Sequence, residues 1–199
     1  RVPAKESHAA LSPPEVKPFL DRLKIEDQLL SVLACKLLAL TWVRTVELRT
    51  MLWSEIEGKG DAQVWRIPAG KMKRRNEHLV PLSRQAVALL GILRQRARGS
   101  EYVFPAEHTI KRPMSENAVL YLLHRMGYKG IITGHGWRSV ASTWANEAGW
   151  LPDAIERQLA HMPDDKIRAA YNRAAYLPQR REMLQAWADW LESQGMVTA

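Results

Sequence analysis

Six residues scattered along the chain belong to the types that handle phosphates and protons: Arg44, Lys73, His135, Arg138, His161 and Tyr171. Arg44 closes the apolar stretch LLSVLACKLLALTWV and has Glu47 three residues on, the spacing of a helix-surface ion pair. Its flanks are core-like, however, and a partly buried guanidinium needs an anion, so Glu47 can orient it while a second anion occupies its fork. Lys73 lies in GKMKRRNEHLVPLS together with Lys71, Arg74 and Arg75. Such a stretch is a solvated basic turn or, at a hairpin tip, a reach across a bound duplex where Lys73 touches a phosphate or gives up a proton. His135 and Arg138, three apart in GHGWRSVAS, can face one way from a helix start. Gly134 and Gly136 beside the His let a backbone or a ligand come close. His161 precedes Tyr171 by ten positions in LAHMPDDKIRAAYNR, with a Pro and two Asp forming a turn between them. Taken one at a time, each has a plainer role as a cap, a packing residue or a solvated charge.

The elements that must position these residues follow from patterning. SPPEVKPFLDRL reads as a capped helix, with Ser12 at the N-cap, Pro13 at the first helical position and Glu15 three residues after the cap. EDQLLSVLACKLLALTW is apolar on nearly every face, which predicts a buried central helix. TVELRTML predicts a short helix and WSEIEGKG a strand ending in a Gly turn. QVWRIP and HLVPLS alternate apolar and polar residues on either side of the basic turn AGKMKRRNE, predicting a small antiparallel sheet. RQAVALLGILRQRA returns to helical spacing, and YVFP is a brief extended piece. From Ser115 onward helices dominate: SENAVLYLLHRM, GWRSVASTWANEAG, PDAIERQLAH, DDKIRAAYNR and QRREMLQAWADWLES. The last carries Met183, Leu184, Trp187, Trp190 and Leu191 on one stripe, to be covered by its own domain or by a neighbouring copy. The expected class is α+β, mostly helical, with an antiparallel sheet of about three strands. Residues 1–11 lack periodicity and read as a linker, leaving 12–199 as one domain.

With 46% hydrophobic residues and eight Trp in 199, the chain is expected to fold rather than stay disordered. A net charge of +8 favours a polyanionic partner. The longest apolar run is interrupted by Lys36 and falls short of a membrane span, and no secretory leader is recognisable, so a cytoplasmic location is expected. Cys35, the single cysteine, sits mid-run as a small core residue. One Cys and scattered His give no metal-ligand spacing, and no cofactor is called for.

In order and local context, Arg44, Lys73 in a hairpin, His135-x-x-Arg138, His161 and Tyr171 resemble the tyrosine recombinase family, the phage-integrase type of site-specific DNA recombinase. The resemblance runs from about Leu11 to Leu191. HAALSPPEVKPFL, WSEIEG, WRIPAGKMKRRNEHLVPLS, GHGWRSVASTWANEAG and LAHMPDDKIRAAYNRAAYL look most like integrases of satellite phages, prophages and genomic islands. Trp42 stands where the family usually has Gly, and Thr45 where it has a small residue or Pro.

The resemblance implies the tyrosine recombinase catalytic-domain fold, with arm-binding and core-binding domains that this chain does not contain. It implies that Arg44 and Arg138 clamp a scissile phosphate, with Glu47 in support. His135 would bond that phosphate or accept a proton from the nucleophile, and His161 would bond a nonbridging oxygen. Tyr171, preferred over Tyr176 on the family's His-to-Tyr interval, would attack to give a 3′-phosphotyrosyl link while Lys73 protonates the leaving 5′ oxygen. Lys71, Arg74 and Arg75 would touch DNA. Guanidinium and ammonium groups can supply the positive charge this transfer needs without a metal, and conserved phosphodiester energy removes the need for ATP. The implied partners are duplex attachment sites and further copies in a homotetramer on DNA, with a monomer for the isolated domain. The implied setting is a bacterial or phage-encoded cytoplasmic protein at the nucleoid, integrating or excising a mobile element. A type IB topoisomerase uses similar residues, and a DNA-binding regulator can keep the fold without the chemistry.

Overall fold

The computed structural model describes residues 9–26, 30–161 and 176–198. Helix α1 (Pro13–Ile25) starts as its sequence dictates, with the Glu15 carboxylate accepting the backbone N–H and the hydroxyl of Ser12 at 2.7 and 2.6 Å. Helix α2 (Leu30–Thr41) is buried from Val32 to Thr41; surrounded on all sides, it has no solvent face to make polar. Cys35 lies fully inside it, its thiol pushed up to about 12 by burial, which leaves it an inert core residue. A short helix, α3 (Thr45–Arg49), follows after a sharp change of direction.

Three strands form the expected sheet: β1 (Ile56–Glu57), β2 (Val64–Ile67) and β3 (His78–Pro81), antiparallel in the order β1-β2-β3. Trp65 faces Val80 and Ile67 faces His78 across β2 and β3, so the alternation seen in sequence turns Trp65, Ile67 and Val80 into the core. Helix α4 (Arg84–Arg96) begins at Ser83, whose hydroxyl accepts the Ala86 N–H. A second antiparallel pair, β4 (Pro105–Ala106) and β5 (Thr109–Pro113), was not expected beyond the extended piece YVFP.

Helices α5 (Ala118–Arg125), α6 (Gly136–Glu147), α7 (Pro152–Gln158) and α8 (Leu177–Ser193) complete the described elements. Helices α4, α5, α6 and α8 all pack on α2. The apolar stripe of α8 is covered by its own domain: Met183, Leu184, Trp187 and Leu191 are buried, and the Trp187 indole donates to the Ala39 carbonyl at 2.8 Å. Trp190 stacks on Trp187 with centroids 5.1 Å apart. The expected helix DDKIRAAYNR lies outside the described residues. Leu11 is buried in the core, and a Cβ at Gly136 would come within 2.4 Å of the Ala9 carbonyl, so residues 9–11 lie against the helical domain. Among the described residues no helix is long and apolar enough to cross a membrane.

Candidate active site

The site begins where α2 ends. The Trp42 N–H bonds the Leu38 carbonyl at 3.0 Å, and the residue itself takes φ 60, a left-handed conformation that costs a side chain energy and Gly nothing. Complete burial and an edge-on contact with Trp187, centroids 6.1 Å apart, hold the indole in place despite that cost. The reversal delivers Arg44 to the N-cap of α3. There its backbone N–H bonds Glu47 Oε2 at 2.7 Å and its Nη1 bonds Glu47 Oε1 at 2.8 Å. The carboxylate is 2% exposed and the guanidinium side chain 24%, so the pair is anchored at one end and open to solvent at the other. This is the orienting arrangement rather than a surface ion pair.

Arg138, one turn into α6, is buried beside it. Its Nη1 donates to the Trp42 carbonyl and its Nη2 to the Leu159 carbonyl at 2.5 Å. Burial, then the positive charge of Arg44, bring its pKa down to about 10, and it stays protonated at neutral pH. Arg138 therefore joins the chain two residues before Arg44 to the chain two residues before His161. His135 is half-buried at the N-cap of α6. The close approach its flanking glycines permit is by the protein itself: a Cβ at Gly134 would meet the Thr45 methyl at 2.8 Å.

The basic stretch connects β2 to β3 through a turn at Ala69–Lys71, followed by a second turn in which Arg75 adopts φ 52 and its N–H bonds the Met72 carbonyl at 3.0 Å. Lys73 and Arg74 stand exposed at its tip. Lys71 does not share their surroundings: its ammonium binds Glu55 Oε1 at 2.5 Å and the Thr50 carbonyl, bracing the turn from inside.

Across from the hairpin, just past α7, the His161 backbone N–H bonds the Glu156 carbonyl at 2.9 Å, and its Nδ1 lies 2.9 Å from Glu156 Oε2. With Nδ1–H given to the carboxylate, Nε2 is the nitrogen available for other work.

These parts meet at a cleft of about 440 Å³ whose lining includes Arg44, Lys73, Arg74, Arg157, His161 and His78. Glu77 also lines it, with its carboxylate bound by Arg66 at 2.6 Å. Arg138, Lys71, Arg75 and His135 are not on the lining; Arg138 binds the main chain beside it, at Trp42 and Leu159. Tyr171 lies outside the described residues. Tyr176, the other nearby tyrosine, turns its hydroxyl to Asp153 Oδ2 at 3.4 Å. Sequence reasoning missed Glu156, Arg157 and His78, because on paper they are unremarkable polar residues of a helix and a strand end. Guanidinium, ammonium and imidazole groups gathered in one cleft can hold an anion and stabilise charge developing on it.

The fold is that of the tyrosine recombinase catalytic domain. It superimposes on a lambda integrase dimer bound to a COC′ core site with a TM-score of 0.61 at 18% identity, over 86% of this chain and 49% of that one. It also superimposes on XerA recombinase with a TM-score of 0.60 at 17% identity, over 100% of this chain and 68% of that one. At these identities the likeness is one of fold. The sequence pattern of the phage integrase family matches residues 10–177, and the chain belongs to that family. It is 47% identical over 90% of its length to the prophage integrase IntZ of Escherichia coli (strain K12). It is 41% identical over 93% of its length to the integrase of Enterobacteria phage P4. The chain spans less than half the length of these relatives, 44% and 46% respectively.

Proposed function

We propose that this chain is the catalytic domain of a site-specific DNA recombinase that integrates or excises a mobile element. The observation that carries the reading is the convergence of Arg44, Lys73 and His161, from three separate parts of the sequence, on one cleft, with Arg138 buried close to Arg44 and bonded to the chain just before His161. A duplex laid over the basic hairpin places a phosphodiester in that cleft. Arg44, steadied by Glu47, and Arg138 neutralise its nonbridging oxygens, and His161, as an imidazolium whose Nδ1–H is held by Glu156, adds a hydrogen bond from Nε2. Tyr171 Oη attacks phosphorus, forming the phosphotyrosyl bond as the bond to the 5′ oxygen breaks; His135 takes the phenolic proton, and Lys73 gives one to the departing 5′ oxygen, which leaves as a hydroxyl. A 5′ hydroxyl from a second duplex then reverses these steps, so no energy source is consumed.

The partners in this reading are duplex attachment sites, contacted by Arg74 and Arg75 around the hairpin, and further copies of the protein assembled as a tetramer on DNA. Lys71 contributes by holding the turn through Glu55 rather than by touching DNA. A solved relative of the same fold is a lambda integrase tetramer on a Holliday junction, which supports the assembly. The protein would work in the cytoplasm of a bacterium, at the nucleoid. The test is a supercoiled plasmid carrying two attachment sites, incubated with the protein that contains this chain. Exchange, giving two circles from one, is expected; relaxation without exchange would move the assignment to a topoisomerase, and binding without either would make it a regulator.

A further inference from the structure

Behind the cleft lies a buried polar cluster to which the catalytic proposal assigns no task. Gln158, the last residue of α7, is fully buried. Its side-chain amide donates to the Thr41 carbonyl at 2.8 Å, and its own backbone carbonyl accepts from His78 Nε2 at 3.2 Å. Its side-chain oxygen accepts from Arg180 twice, from Nε at 3.0 Å and from Nη2 at 2.7 Å. Arg180 Nη2 also donates to the Leu79 carbonyl in β3. Arg180 is 1% exposed, and burying a guanidinium is costly enough that a residue needed only to fill space would be apolar.

The attachment points share a pattern. Thr41 lies three residues before Arg44, Gln158 three residues before His161, and His78 five residues after Lys73. Arg180 and Gln158 together thus connect the three segments that carry the cleft's cations: the guanidinium bonds Gln158 and Leu79, and the Gln158 amide bonds Thr41. Of these, the hairpin gains most. Arg44 is also fixed by Glu47, and His161 by Glu156 and, through Leu159, by Arg138. On the other side of the hairpin, Lys71 braces only the outgoing turn, on Glu55 and Thr50. The bond from Arg180 to Leu79 ties the returning strand β3 to α7 and α8.

We propose that Arg180 is a positioning residue for the proton donor: with Gln158, it sets the height of the β2–β3 hairpin over the cleft and so the placement of Lys73 at the leaving oxygen. The inference rests on the recombinase reading above. It requires that loss of the Arg180 fork slow the step that needs a proton from Lys73 and spare the same cut when no proton is needed.

That distinction can be measured with two otherwise identical duplexes carrying the element's crossover site, one with the natural 5′-bridging oxygen at the scissile phosphate and one with sulfur there. The thiolate leaves unprotonated, so cleavage of the sulfur-linked duplex does not depend on a general acid. Single-turnover formation of the covalent complex is followed for wild type, Lys73→Ala, Arg180→Met and Arg180→Lys, well below each protein's unfolding temperature. The expected result is that Arg180→Met cleaves the oxygen-linked duplex about 100-fold slower than wild type, a loss on the scale of a mispositioned catalytic group. On the sulfur-linked duplex it should come within a few-fold of wild type, as Lys73→Ala does, with Arg180→Lys between the two. Equal slowing on both duplexes would overturn the inference, as would no slowing on either; if Arg180→Met does not fold, the same ratio read on Arg180→Lys decides. Wild type forming no covalent complex with either duplex would overturn the recombinase reading itself, and this inference with it.

Discussion

Arg44 and Arg138 carry the same group into opposite surroundings. Arg44 is anchored along one edge by Glu47 and open along the other, whereas Arg138 is buried, with both Nη atoms committed to main-chain carbonyls of two different segments. Identical chemistry therefore does two jobs: one guanidinium is presented, the other joins the walls between which it is presented. The depressed pKa of Arg138, about 10, follows from its desolvation and the repulsion from Arg44 beside it. Burying that charge is worthwhile if an anion arrives in front of it. In the proposed function a phosphate entering the cleft would relieve the repulsion between the two cations, and each would strengthen the binding that the other alone would leave weak.

The contrast can be broken experimentally. The largest effect is expected from Arg138→Ala, which leaves two buried carbonyls without a donor and should cost about 2–4 kcal/mol in a urea unfolding curve while abolishing DNA cleavage. Arg44→Ala should lower the cleavage rate by about 10²–10³-fold, the scale for loss of a preorganised donor to a developing charge. Its unfolding midpoint should stay close to wild type, within about 1 kcal/mol for a pair open to water at one end. Equal destabilisation by the two variants would erase the division between presenting and bracing.

Glu47→Gln sharpens the same comparison. With the carboxylate that accepts both the backbone N–H and Nη1 of Arg44 neutralised, stability should drop by about 1 kcal/mol. Cleavage should slow by about tenfold, to be read as a rate on saturating DNA, because one charge-assisted bond weakens and Arg44 is freed to wander.

The smallest effect concerns the dry side of the cleft. His78 is held neutral, its pKa brought down to about 3 by burial and then by the charge of Arg180. In the unfolded chain the ring binds a proton near 6.5 and in the folded chain it does not, so folding stability is full above that pH and falls as pH drops below it toward 3. Between pH 7 and 5.5 the loss should be about 1 kcal/mol, and His78→Gln should flatten that part of the stability–pH curve.

How far the sequence foretold this depends on distance along the chain. Helix α2 was legible because it lacks a polar face, α1 because Ser12, Pro13 and Glu15 spell its start, and the β2–β3 hairpin because alternation brackets a basic turn. Local signals of that kind also put Lys73 at a tip. The pair β4 and β5 was hidden by its shortness and by a Pro at each end, Pro105 and Pro113, which reads as a loop. Trp42 was noted as a departure from Gly, but only the structure gives the reason it matters: a left-handed turn there sends its carbonyl to Arg138 and aims Arg44 at the cleft. The Gln158–Arg180 cluster had no signal at all, since its bonds join residues from four elements and no spacing predicts where a buried Gln finds its partners. The apolar stripe of α8 was legible as a stripe; which surface covers it was settled by packing on α2 and against the Trp42 and Trp144 rings.

The central claim is that the cleft holds a DNA phosphate for attack by Tyr171, and it is tested most directly by finding the covalent bond. Wild type, Tyr171→Phe and Tyr176→Phe are each incubated with duplex DNA at low salt, denatured in detergent and digested, and the phosphotyrosyl peptide is identified by mass spectrometry. The account predicts an adduct on Tyr171 in wild type and in Tyr176→Phe and none in Tyr171→Phe. An adduct on Tyr176, or strand cleavage that leaves no protein attached, would contradict it.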